Sequence, residues 1–294
     1  MKFLNFGSLN IDHVFGVLQI VKPGQTIDSL TVHTYPGGKG LNQSLAAAKA
    51  GAAVSHAGLI GTDGLWLREL LERSGVDCRY LETVEGETGS AFIQVDENGQ
   101  NSIVLNGGSN RKNTPEYCRK VLADFGPGDL LLLQNEISSM KELIDLAWEK
   151  GMKIVLNPSP MNENILASDL GKVSLFLMNE DEGQHITGRE SADDILAEMR
   201  RRYPDAEVVL TLGSRGSCYQ KGELRVEQKA YRVQAVDTTA AGDTFTGFFL
   251  AALAAGREIG NCLDLASRAS AIAVTREGAA SSIPTLSEVE TTAL

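Results

Sequence analysis

From about residue 36 onward, short continuous apolar runs alternate with amphipathic stretches closed by glycine, and this alternation constrains the fold more than any single motif. Residues 54–61 read as a strand and 65–73 as a helix stopped by Gly75, then 129–135 as a strand and 140–150 as a helix stopped by Gly151. Residues 153–157, 173–178 and 208–212 are apolar without polar alternation, the pattern of strands covered on both faces. The expected fold is α/β, a doubly wound, mostly parallel sheet flanked by helices, with ligand sites at the carboxyl ends of the strands. Two segments depart from the pattern. Residues 13–35 carry a turn signal at Pro23, Gly24 and Gln25, and in residues 89–105 Phe92 and Gln94 stand across a turn from Ser102 and Val104. They are expected to form a small β-sheet lid over a core made of residues 1–12, 36–88 and 106–294. Two unrelated surface hairpins would leave the same local pattern.

With 294 residues, 43% of them hydrophobic and 22% charged, the chain can bury a sizeable globular core. A formal charge of -11 disfavours nucleic acid and anionic membranes as main partners, and it requires any bound polyphosphate to arrive with a cation. The N-terminal residues run straight into a strand pattern with no long apolar stretch, so a cytoplasmic location is expected. Four scattered cysteines without a C-x-x-C pair fit free thiols, and four scattered histidines without an H-x-x-x-H pair argue against zinc.

The most informative local segment runs from Asp237 to Thr244, between an expected strand at 231–236 and an expected helix at 244–255 closed by Gly256. At a helix N-terminus the backbone N–H groups of Ala241, Gly242 and Asp243 lack intrahelical partners, and the helix dipole favours an anion such as a phosphoryl group. A carboxylate beside a bound phosphate costs Coulomb energy, and Asp243 would justify it by taking the proton from an attacking hydroxyl. A helix cap would look the same.

Other candidates fall at expected strand ends. Gly37, Gly38, Lys39, Gly40, Leu41 and Asn42 precede an alanine-rich helix expected at 45–50. They form neither a Walker loop, since Gly40 follows the lysine, nor G-x-G-x-x-G, since Gln43 replaces the third glycine. Lys39 and Asn42 supply donors that sugar hydroxyls accept. Asn10 and Asp12 follow the first strand, and a carboxylate can accept from two hydroxyls, although an Asx turn is equally compatible. Glu136 has the same placement. Asn179 and the acidic residues Glu180, Asp181 and Glu182 suit either water-mediated Mg²⁺ or an acidic helix start. The turn of Thr211, Leu212, Gly213, Ser214, Arg215 and Gly216 could floor a nucleotide.

Taken together these residues resemble the ribokinase-like family of carbohydrate and nucleoside kinases. The likeness runs nearly end to end, through residues 7–13, 37–42, 134–136, Asn157 to Pro160, Asn179 with Glu182, 211–216 and, most specifically, 236–245. It implies transfer of the ATP γ-phosphoryl group to a primary sugar hydroxyl, the 5-hydroxyl of D-ribose being the expected acceptor. By that likeness Asn10, Asp12, Gly38, Lys39, Asn42 and Glu136 would hold the sugar, Asp243 would be the base, and Ala240, Ala241, Gly242 and Asp243 would form an anion hole. Asn179, Thr211, Gly213, Ser214, Arg215, Gly216, Gly242 and Ser267 would face the nucleotide, and Glu182 would support Mg²⁺ through water. A K⁺ site would draw on Asp237, Thr239, Ala273, Arg276, Gly278 and Ser282, and the lid would pair two subunits into a homodimer. Leu41, Thr239 and Met178 depart from commoner family choices near the pocket wall. Kinases of this kind also act on deoxyribose, fructose, adenosine or pseudouridine, and a non-catalytic sugar sensor is the remaining alternative.

Overall fold

The strands are β1 (Phe3–Phe6), β2 (Asn10–Gly16), β3 (Thr31–Gly37), β4 (Val54–Ile60), β5 (Asp77–Thr83), β6 (Gly89–Val95), β7 (Asn101–Asn106), β8 (Leu130–Gln134), β9 (Lys153–Asn157), β10 (Leu175–Asn179), β11 (Glu207–Thr211), β12 (Ser217–Lys221) and β13 (Leu224–Gln228). They come from a computed structural model that describes residues 1–294, apart from the side chain of Asn164. One sheet has nine strands in the order β13-β12-β11-β10-β9-β8-β1-β4-β5, and a second has four in the order β3-β2-β6-β7. In the large sheet the strands from β5 through β11 are parallel, and β12 and β13 close one edge antiparallel. Its central strands are apolar because both faces are covered. Phe3 packs with the helices Lys39–Lys49, Ala241–Ala254 and Ile259–Ala273, while Leu4 and Phe6 point to the face covered by Pro115–Leu122, Met140–Glu149 and Ala192–Arg202.

The chain enters at β1 in the middle of the sheet, builds β4 and β5 on one side and then crosses to β8 on the other. The reversal between β1 and β8 opens a crevice beyond their carboxyl ends, where doubly wound sheets bind ligands.

The expected hairpins form, and they form one sheet. β2 pairs with β3 and β6 with β7, both antiparallel, with Phe92 opposite Val104 and Gln94 opposite Ser102. β2 and β6 then run parallel in register from Asn10 with Gly89 to Gly16 with Val95, so the alternative of two unrelated hairpins does not hold. The sheet begins at Asn10 and its second strand ends at Gly37, which places Asn10 and Asp12 inside its first strand.

Three expectations are corrected. Residues 231–236 are not a strand, because β13 already occupies the sheet edge; Val236 instead donates its N–H to Val274 O at 2.7 Å. The helix expected at 244–255 begins at Ala241, and the helix expected at 45–50 begins at Lys39, with Gly38 (φ 93°) as its N-cap. The glycine motif therefore lies partly within the helix, because Gly38 supplies a positive φ that no β-carbon has to oppose.

Candidate active site

At the carboxyl ends of β1 and β8 two backbones meet without room for side chains. A β-carbon on Gly40 would lie 2.4 Å from Ser8 N, so only glycine lets the helix Lys39–Lys49 abut the end of β1. Glu136 clamps this junction: its Oε2 accepts from Ser8 Oγ and, at 2.9 Å, from Lys39 N. A lysine at the first turn of a helix opposes the dipole. Burial also works against the Lys39 ammonium, yet the carboxylates of Asp243, Glu136 and Glu182 outweigh that burial and hold its pKa above the ordinary value.

Asp12 projects from β2 against Gly37, where a β-carbon would collide with its carboxyl at 2.0 Å. Its Oδ1 is buried and has no hydrogen-bond partner. Burial and the neighbouring Glu136 push its pKa up to about 7. Asn42 presents the same signal, since its Nδ2 donates to Asp243 Oδ2 at 3.0 Å while its Oδ1 is buried and unpartnered. Native structures rarely leave buried acceptors idle, so both oxygens have capacity for a donor from outside the chain. Asn10 is differently engaged: its Oδ1 accepts from Asn110 Nδ2 at 2.8 Å.

Asp243 sits in the first turn of the helix Ala241–Ala254, which has no side-chain cap and whose N-cap, Ala240, is left-handed at φ 57°. Of the three N–H groups expected to be free, that of Ala241 donates to Thr238 O at 3.2 Å. Gly242 and Asp243 remain at the mouth of a cavity of about 230 Å³, shared with Lys39, Asn157, Asn179 and Glu182. A second cavity of about 460 Å³ lies on the other side of the same helix start, lined by Gly213, Ser214, Gly216, Tyr231, Phe245 and Ser267 among others. Asn179, Thr211, Thr238, Ala241 and Gly242 border both. The helix N-terminus thus stands between a polar chamber and a more apolar one, the layout a nucleotide's phosphates and base require.

Asn179 and Glu182 realise the helix-start alternative: Asn179 Oδ1 accepts from Glu182 N at 2.8 Å and Glu182 Oε2 from Asn179 N at 3.0 Å, a capping box. Glu182 nonetheless lines the polar cavity, and burial lifts its pKa against the pull of the Asn179 N–H, Ser159 and Lys39. Among the described residues no group of three or more His, Cys, Asp or Glu is placed to hold a metal directly. Arg215 lies outside both cavities, its guanidinium exposed and paired with Glu180.

Asp237 draws together the segments expected around a cation, accepting from Thr239 N at 2.8 Å and Gly278 N at 2.9 Å. Burial raises its pKa, but these donors prevail and keep the carboxyl below its usual range. Ala273 O accepts from Arg276 N at 3.0 Å, the Arg276 guanidinium turns to Glu288 at 2.7 Å, and Ser282 is fully buried beside Ala279.

Some participants carry no sequence signal of their own. Gln43 donates from Nε2 to Asp243 Oδ1 at 2.9 Å, although in the sequence it only marks a missing glycine. Tyr231, Phe245, Ala271 and Val274 line the larger cavity and read as ordinary apolar residues. The nearest available hint was Asn5, an amide inside the buried apolar strand β1.

The family model for pfkB family carbohydrate kinases matches residues 2–286. The chain is similar to a ribokinase of Haemophilus influenzae, 39% identical over 96% of this chain and 95% of that protein, and to a deoxyribokinase of Salmonella typhi, 30% identical over 98% and 97%. Among solved structures, Arabidopsis thaliana ribokinase complexed with ribose and ATP superposes with a TM-score of 0.84 at 29% identity, covering 98% of this chain and 97% of that one. On the strength of this match over nearly the whole chain, the chain belongs to the pfkB family of carbohydrate kinases.

Proposed function

We propose that this protein is an ATP-dependent ribose kinase, transferring the γ-phosphoryl group to the 5-hydroxyl of D-ribose with Asp243 as general base. The observation that carries the reading is the pair of buried, unpartnered acceptors, Asp12 Oδ1 and Asn42 Oδ1, the latter on a side chain bonded to the Asp243 carboxylate at a helix N-terminus. Acceptors left idle inside a protein call for a ligand rich in hydroxyl donors, and a small polyol meets that need where a nucleobase does not.

Ribose would lie in the crevice beyond β1 and β8, its hydroxyls donating to Asp12 and Asn42, with Asn10, Gly38, Lys39 and Glu136 around it. ATP would place its base in the larger cavity and its phosphates on the N–H groups of Gly242 and Asp243, close to Lys39. Asp243 takes the proton of the 5-hydroxyl as the bond from that oxygen to the γ-phosphorus forms and the bond from the γ-phosphorus to the bridging oxygen breaks, releasing ADP. Mg²⁺, arriving with ATP and reached from Glu182 through water, would neutralise phosphate charge, which a chain of net charge -11 otherwise repels. The carboxylate of Asp237 and the carbonyls around residues 273–282 are hard oxygen donors that suit K⁺. Four buried free thiols and the use of ATP support a cytoplasmic location.

The test is ADP release with MgATP against a panel of pentoses, hexoses and nucleosides. Ribose should give the highest specificity constant, well above 2-deoxyribose, which has one hydroxyl fewer to offer the idle acceptors. Asp243→Asn should cost on the order of 10² to 10⁴ in turnover with the fold intact. A hexose, nucleoside or deoxyribose that outperforms ribose overturns the substrate, and near-wild-type turnover of the Asn variant overturns the base.

A further inference from the structure

We infer that Gln43 is a positioning residue for Asp243, aimed by a one-way relay of amides that begins at the backbone carbonyl of Gly40, three residues earlier in the same helix. The inference rests on the reading of Asp243 as base and adds to it a residue that touches neither substrate.

The sense of the relay follows from what each atom can do. Gly40 O can only accept, so Asn5 must turn its Nδ2 toward it, at 2.8 Å. The other Nδ2 hydrogen goes to Ser44 Oγ at 2.8 Å, which leaves Asn5 Oδ1 as the acceptor for Gln134 Nε2 at 2.9 Å. The same Gln134 Nε2 donates its second hydrogen to Gln43 Oε1 at 2.7 Å. Gln43 must therefore present Nε2 on its remaining side, where it donates to Asp243 Oδ1 at 2.9 Å and to Asn157 Oδ1 at 3.0 Å. A second carbonyl enforces the same choice, because Asn157 Nδ2 donates to Leu177 O at 2.9 Å and so keeps Oδ1 toward Gln43.

Asn5, Gln43 and Gln134 are fully buried, and such a network is expensive unless each member is satisfied. Both amide hydrogens of Asn5, Gln43 and Gln134 have acceptors, and of the three only Gln134 leaves its oxygen, Oε1, without a donor. A flip of any one amide would set oxygen against oxygen along the chain, so β1, β8 and β9 jointly determine the rotation of the Asp243 carboxylate. Gln43 holds Oδ1 at 2.9 Å and Asn42 Nδ2 holds Oδ2 at 3.0 Å, so both carboxylate oxygens are tied before any sugar arrives. The orientation of the carboxylate is thereby fixed in advance, which is preorganisation of the base.

The experiment replaces Gln43 by Met, similar in size and unable to donate, and measures kcat and KM with the sugar that the wild type accepts best. The expected result is a kcat about 10- to 100-fold lower with both KM values within about threefold, since positioning acts on the reaction and not on binding. In an Asp243→Asn background the same substitution should cost less than about threefold, because no base remains to be aimed. Gln43→Glu, which keeps the length but loses the donor, should lose at least as much kcat. If Gln43→Met does not fold, Gln134→Met, one bond further back, carries the same test. Wild-type kcat in these variants, or an equal loss in both Asp243 backgrounds, overturns the inference. A best substrate other than ribose refutes only the ribose reading, and a wild type that phosphorylates no sugar overturns both.

Discussion

Asp12 illustrates how a single residue ties binding to pH. Its carboxyl is raised from 3.8 to about 7, by burial first and Glu136 second, so the folded protein without sugar favours the protonated form. The sign follows: an acid whose pKa is higher folded than unfolded stabilises the protein at low pH, and that contribution fades as pH rises from about 4 to about 7. Asp12→Asn should therefore raise the melting temperature of the free protein more at pH 8 than at pH 5. Sugar hydroxyls donate to the charged form and pull the pKa back down, so ribose binding near pH 6 should release protons, read by calorimetry in buffers of different ionisation enthalpy. Heats independent of buffer would remove Asp12 from the sugar site. Asp12→Ala should lower kcat/KM by about 10² to 10³, the loss of two hydrogen bonds to a charged group. Lys39 and Asn42 stood out in the sequence because they sit in a glycine-rich helix entrance, and Asp12 because it follows the first expected strand. Gln43 and Gln134 did not, since an amide's role depends on which atom it turns to which neighbour.

At the scale of elements, the start of the helix Ala241–Ala254 depends on a loop held from outside. Asp237 accepts from Thr239 N and Gly278 N, and the N–H groups of Val236 and Asp237 both reach Val274 O, so residues 236–239 and 274–278 are tied together by hydrogen bonds. A large monovalent cation among their oxygens would order this unit and, through Ala240, the N–H groups that meet the phosphate. Turnover should be several-fold higher in K⁺ than in a bulky organic cation of equal ionic strength, with the KM for sugar little changed; equal rates in K⁺, Na⁺ and the organic cation would dismiss the site. Residues 231–236 show what local pattern leaves out. Their alternation suits a strand, but β13 holds the edge of the sheet, and the segment becomes a wall of the larger cavity through Tyr231, Val233 and Ala235.

The whole molecule carries an unfinished surface. The four-stranded sheet leaves Val32, Tyr35, Phe92, Ile103, Val104 and Leu105 each at least 40% exposed. The register places Leu105 and Tyr35 on the same face as Asp12, and Phe92 with Val104 on the other, so neither face is a conventional polar surface. Small sheets with open edges and apolar faces gain from a partner, and a second copy of the chain is the proposed one. Light scattering at micromolar concentration should give twice the chain mass, and Val104→Glu should shift it toward the monomer. A wild type that is monomeric and fully active would show that the sheet functions alone.

The alternation of buried strands with glycine-stopped helices, the placement of Glu136 just past a strand and of Asp243 at a helix start, and the two hairpins were determined by the sequence itself, because period, turn chemistry and helix-end chemistry act over a few residues. Only the tertiary structure decided that the hairpins join through β2 and β6, that β13 displaces residues 231–236 from the sheet, and that Gln43 turns its nitrogen to Asp243. Each of those depends on partners more than 70 residues apart in the chain or on competition for one sheet edge. Local pattern cannot encode a choice whose alternatives differ only in distant contacts.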